Sequence, residues 1–121
     1  MAIVDVRDKL VEILGSSQIV AVVAGYCKFC TMLREALAIA EKADSSLSVS
    51  YITESHPLYK AFRDTAYTVF DQYKTVPLVF IQGRFLGGYS NFDAISKRLN
   101  EYVSMPMLSK SLRLTKEGKM L

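Results

Sequence analysis

Apolar positions recur along this chain with two different periods. Val4, Leu10, Val11 and Leu14 are spaced as one face of a helix, with acidic residues early and Gly15 as a stop, which predicts a helix over 4–14. Ser16 and Ser17 make a turn. Gln18 to Ala24 is then a nearly unbroken β-branched run, the pattern of a strand covered on both faces of a sheet. Helical spacing returns from about Phe29 to Lys42, with Leu33, Ala36, Leu37 and Ala40 as the buried stripe, until Asp44-Ser45-Ser46 breaks it. Leu47 to Ile52 alternates as a strand. A third helix opens near Pro57 and runs to about Tyr73, turning Leu58, Ala61, Phe62, Ala66, Val69 and Phe70 inward. Leu78-Val79-Phe80-Ile81 is a strand, Gln82-Gly83-Arg84 a tight turn and Phe85-Leu86 a short return strand. After Gly87-Gly88, Ser90 or Asn91 caps a last helix reaching about Val103, with Asp93 in its favourable first turn.

The order α-β-α-β-α-β-β-α makes the first two strands parallel and the last two a hairpin, in an α/β sheet with helices on both faces. At 121 residues this is one domain, large enough to bury a core without metal or disulfide staples. The longest apolar run, Ile19 to Ala24, is far too short to span a bilayer, and Asp5 and Asp8 stand where a secretory signal would be apolar. A reducing compartment, the cytoplasm, and no membrane association are therefore expected. The net charge of +3 is unevenly placed: acids and bases balance over 1–108, and Lys110, Arg113, Lys116 and Lys119 against Glu117 make a basic tail over 109–121. Four such charges without interleaved aromatics read as a solvated end, so no nucleic-acid partner is expected.

Both cysteines stand in Tyr26-Cys27-Lys28-Phe29-Cys30, between the first strand and the second helix. If Cys27 opens that helix, Cys30 falls one turn on, close enough for the sulfurs to bond. Cys27 then lies beside the unsatisfied N–H groups and positive dipole end of the helix, which favour a thiolate. That arrangement suits thiol–disulfide chemistry. Half of a structural zinc site is a weaker reading, because the chain offers no third cysteine and only His56. Two inert core cysteines are the other alternative, but the pair sits at the carboxyl end of a strand, where ligands bind in such sheets.

CxxC after the first strand, Thr75-Val76-Pro77 before a hairpin, and Gly87-Gly88-Tyr89-Ser90 together resemble the dithiol glutaredoxins of the thioredoxin superfamily, over about residues 18–103. The resemblance implies a thioredoxin-like fold with a four-stranded mixed sheet, here with an extra N-terminal helix and a C-terminal tail. It implies a glutathione-dependent oxidoreductase that reduces protein disulfides and glutathione mixed disulfides, with Cys27 as nucleophile and Cys30 as resolving thiol. Glutathione would be the reductant and co-substrate, no metal is expected, and the protein would act as a monomer on disulfide-containing or glutathionylated proteins. Pro77 would follow a cis peptide bond, with the Val76 backbone pairing with glutathione. The rest of the groove would be Phe29, Lys74, Thr75, Gly88, Tyr89, Ser90 and Asn91, the last two at a helix N-terminus suited to a carboxylate.

Three positions depart from the family pattern. Ala24 stands where a basic residue is usual, Lys28 where proline often follows the first cysteine, and Asn91 where an aspartate usually meets glutathione's ammonium. Two alternatives follow, a glutathione-ligated iron–sulfur carrier and a dedicated redox donor served by another thiol. The first helix and the segment after Met105 lie outside the matched region. Ser111 to Thr115 alternates, which predicts a small hairpin or edge strand.

Overall fold

The computed structural model describes residues 3–120. Its centre is β1 (Ile19–Val23), whose five side chains are all buried. Ile19, Ala21 and Val23 face one side of the sheet. There they meet Cys30, Leu33 and Leu37 of α2 (Lys28–Ala43) and Phe92 and Ile95 of α4 (Tyr89–Ile95). Val20 and Val22 face the other side, against Leu10 and Leu14 of α1 (Ile3–Leu14) and Phe62 and Ala66 of α3 (Tyr59–Val69). A strand with two buried faces reads as a continuous apolar run because neither face needs polar residues. The side chain of Val4 lies outside the described residues.

β2 (Val49–Thr53) pairs with β1 in parallel, whereas β3 (Leu78–Ile81) pairs with β1 antiparallel and makes a hairpin with β4 (Arg84–Gly87). The four-stranded mixed sheet therefore runs β2-β1-β3-β4; the parallel pair and the hairpin are as expected from the chain, and the antiparallel β1–β3 pairing that joins them is added by the structure. Gln82 and Gly83 take φ of 49° and 80°, and Ile81 pairs with Arg84. That is a two-residue turn whose twist matches the flanking strands.

Two helices differ from the sequence reading. α3 stops at Val69 rather than Tyr73, because Asp71 and Gln72 adopt left-handed φ of 53° and 62°. The last helix is broken into α4, a 3₁₀ turn over Ser96–Arg98 and α5 (Leu99–Val103). Its cap is Gly88, not Ser90 or Asn91. Asn91 serves the cap from inside, its Oδ1 accepting the Gly88 N–H at 3.1 Å.

The C-terminal segment forms no hairpin or edge strand at Ser111–Thr115. It turns over 110–114, makes a 3₁₀ turn at Lys116–Gly118 and touches β4 through one bridge, Phe85 with Lys119. The alternation has another cause. Leu114, at φ 57° and 1% exposed, plugs the core beneath α1 and α3, and Arg113 is 7% exposed. The Arg113 Nε donates to the Leu108 carbonyl at 2.8 Å and Nη1 to that of Val11 at 3.1 Å. Val11 is in the last turn of α1, where the carbonyl end of the helix favours a cation. Arg7 Nη2 in turn donates to the Leu114 carbonyl at 2.6 Å.

Candidate active site

The chain leaves β1 through Ala24 and Gly25, and the Gly25 N–H donates to Glu54 Oε1 at 2.8 Å just past β2. Cys27 follows in extended conformation and is the residue that caps α2, one position earlier than a first helical residue. Its Sγ accepts the Cys30 N–H at 3.2 Å. The Cys27 thiol also donates to the Val76 carbonyl across the groove, at 3.6 Å. A sulfur used as a helix cap is aimed at the orphan N–H groups of the first turn, the groups that hold negative charge on it.

Cys30 is one turn on and fully buried in the core under β1. Its sulfur accepts the Ala24 N–H at 3.4 Å. Burial, reinforced by its contact with Cys27, pushes the Cys30 thiol up to about 12. Both thiols are free, so this is the reduced form. The two sulfurs are thus unequal: one half-buried and facing the groove, the other sequestered and protonated.

The Val76–Pro77 bond is cis, as the resemblance implied. The loop it forms is one wall of a cavity of about 300 Å³ lined by Phe29, Thr75, Val76, Pro77, Gly88, Tyr89 and Ser90, together with Tyr73. Phe29, 54% exposed, stacks on Tyr89 with centroids 6.1 Å apart, so one ring from each helix makes the rim. Among the described residues, no charged side chain lines this cavity.

Two residues expected in the groove do not line this cavity but border hollows next to it. Asn91 lines an adjoining hollow with Phe70 and Phe85, and Tyr73 borders both it and the groove. Lys74 lines a separate groove on α3. Tyr73 was not among the expected residues. Reading α3 through to Tyr73 placed it on a helix face, but the early stop swings it beneath the groove, edge-on to Phe85 at 5.2 Å. Its hydroxyl lies where a Cβ on residue 88 would go, which is why that position is glycine. Ala24 is 3% exposed and its backbone holds Cys30, so the place where the family has a basic residue is closed to solvent here.

No family model matches the chain. By sequence it is 30% identical over 90 residues to the chloroplastic glutaredoxin-C4 of Oryza sativa subsp. japonica, a match covering 74% of this chain and 64% of that relative. The chain thus spans a little under two thirds of the curated relative's length. Among solved structures, the dithiolic glutaredoxin of Trypanosoma brucei brucei superposes with TM-score 0.67 at 21% identity, over 78% of this chain and 95% of the other. This chain has the glutaredoxin fold. Wheat glutaredoxin (TM-score 0.67, 22% identity, 82% and 91% covered) and the buckwheat glutaredoxin–glutathione complex (0.65, 20%, 82% and 84%) share it. The family resemblance read from CxxC, Thr75-Val76-Pro77 and Gly87-Gly88 is matched by these relatives. Among the described residues, no helix is long and apolar enough to cross a membrane, and no group of three or more His, Cys, Asp or Glu side chains is gathered to hold a metal.

Proposed function

We propose that the chain is a glutathione-dependent dithiol oxidoreductase of the glutaredoxin family, reducing glutathione mixed disulfides and protein disulfides. The observation that carries the reading is the inequality of the two thiols: Cys27 caps α2 beside the Val76 carbonyl, and Cys30 is buried one turn behind it. The Cys27 thiolate attacks the glutathione sulfur of a protein–glutathione disulfide. A Cys27–glutathione disulfide forms and the protein thiolate leaves, taking a proton from water. Free glutathione, as thiolate, then attacks the bound glutathione sulfur, releases oxidised glutathione and restores Cys27. With a protein disulfide the first step ties Cys27 to the protein. Cys30 then loses its proton, attacks the Cys27 sulfur and frees the second protein thiolate, leaving a Cys27–Cys30 disulfide that two glutathiones reduce.

The groove of Phe29, Thr75, Val76, Pro77, Gly88, Tyr89 and Ser90 is the proposed glutathione site, with Lys74 and Asn91 at its margins. A monomer in a reducing compartment such as the cytoplasm is part of the same reading, supported by the placing of both cysteines in the one motif. The direct test is disulfide reduction coupled to NADPH, with glutathione and glutathione reductase in one arm and thioredoxin reductase in the other. Turnover only in the second arm would overturn the choice of reductant.

Asn91→Asp checks the groove's ammonium end. Aspartate keeps an acceptor for the Gly88 N–H and adds a charge. Charged hydrogen bonds exceed neutral ones by roughly 1 kcal/mol, so the KM for glutathione is expected to fall about fivefold. An unchanged KM would place the ammonium elsewhere.

A further inference from the structure

A cavity of about 650 Å³, against about 300 Å³ for the groove beside Cys27, opens between α1 and the C-terminal segment. Both walls lie outside residues 18–103, and none of the lining residues belongs to the proposed glutathione site. Arg113, 7% exposed, is its floor. The guanidinium fills the space beside Gly15 that a side chain there would need. Its Nε and Nη1 are spent on the Leu108 and Val11 carbonyls, which leaves Nη2 without an acceptor among the described residues. Arg7, on the α1 wall, is pinned through Nη2 by the Leu114 carbonyl at 2.6 Å. Main-chain carbonyls fix a guanidinium but bring no counterion, and neither arginine is ion-paired among the described residues. A cation as buried as Arg113 ordinarily has a carboxylate beside it. Lys110 adds a third positive charge at the rim, and Asp8 and Glu12, one turn apart on α1, add two negative ones. These opposite charges line one cavity without closing on one another, so both signs are open to a ligand.

We propose that this cavity binds a small zwitterion of the amino-acid or short-peptide class. Its carboxylate meets Arg113, Arg7 and Lys110, and its ammonium meets Asp8 and Glu12. A guanidinium fork matches a carboxylate with paired hydrogen bonds, and the main-chain anchors mean that little side-chain freedom is lost on binding. Two acids on α1 count against a plain polyanion, and three bases count against a plain cation. The volume lies within the roughly 300–1,000 Å³ of small-molecule sites and holds a peptide of a few residues. Because Arg113 and Leu114 complete the core, an occupant also holds the C-terminal segment against α1 and stabilises the fold. The redox chemistry at Cys27 is not involved.

The test titrates the reduced full chain, isotope-labelled for backbone-amide NMR, with three forms of one tripeptide. These are trialanine with free ends, its N-acetyl form and its C-terminal amide. Trialanine is expected to shift the amides of 8–15 and 110–114, with a Kd about fivefold lower than that of either blocked form. Asp8→Asn combined with Glu12→Gln should weaken trialanine to the level of the N-acetyl form, without weakening the N-acetyl form itself. Lys110→Gln should weaken trialanine by about two- to fivefold and leave the amide form no weaker. All three positions are exposed, so these variants keep the fold, which the same spectra report. Equal binding of trialanine and its N-acetyl form would make this a plain anion site and overturn the proposal. Equal binding of trialanine and its amide overturns it from the other end. Shifts confined to the surroundings of Val76 and Gly88 would give the peptide to the glutathione groove, which also overturns it. So does a spectrum left unmoved by trialanine at high millimolar concentration.

Discussion

Cys27→Ser is expected to abolish turnover of every disulfide substrate, whereas Cys30→Ser keeps deglutathionylation and loses reduction of protein disulfides. A serine hydroxyl does not displace a thiolate from sulfur, and Cys30 is the one cysteine left to replace Cys27. Cys30 cannot substitute, being fully buried with its thiol raised to about 12. A raised thiol holds its proton throughout the neutral range, so iodoacetamide near neutral pH should label the folded protein once, on Cys27. Cys30 becomes the attacker only when Cys27 is tied in a disulfide and presents its sulfur one turn away. Glutathione can perform that displacement on a glutathione adduct but does so poorly when the adduct is a whole protein, which is why the two assays separate. Equal loss of both activities in the two variants would contradict the division of roles.

Removal of residues 109–121 is expected to unfold the domain, although the residues of the proposed site all precede them. Leu114 is 1% exposed in the core shared by α1 and α3. Emptying such a site costs about 2–5 kcal/mol, so Leu114→Ala alone should lower the melting temperature by roughly 10 °C in a domain of this size. Arg113→Ala leaves the Val11 and Leu108 carbonyls without their donor, at roughly 1–3 kcal/mol for each buried group. The sum approaches the whole stability of about 5–15 kcal/mol of an ordinary domain. Exposed Lys110→Ala and Lys116→Ala should move stability by less than about 0.5 kcal/mol. Thermal unfolding followed by circular dichroism reads all four variants. A truncated chain that melts with the full-length protein would show that the segment only rests on the surface.

The gap between those two expectations follows the range of the interactions involved. CxxC at a strand-to-helix junction is local: five residues and one turn of helix place both sulfurs, so the position of the pair is legible in the chain. The same holds for β1, whose apolar run reports two buried faces, and for Gly83, whose backbone permissiveness favours a tight hairpin turn. Arg113 and Leu114 are different. Their partners are about a hundred residues away on α1, and from the sequence alone they count as one more tail charge and one alternating apolar residue.

Tyr73 shows the same limit at smaller scale. Periodicity extends α3 to it, and only the left-handed Asp71 and Gln72, tolerated because Phe70 and Tyr73 pack on Phe85, turn its ring under Gly88. Sequence by itself determined the order of elements, the parallel β1–β2 pair, the β3–β4 hairpin and the placing of both cysteines at a strand-to-helix junction, because each depends on neighbours within a few residues or on a repeating apolar period. Tertiary structure alone decided which side chains share the groove, why position 24 is closed, where Lys74 and Asn91 point, and that the basic tail completes the core. Those outcomes depend on which distant surfaces meet, and no local pattern encodes that meeting.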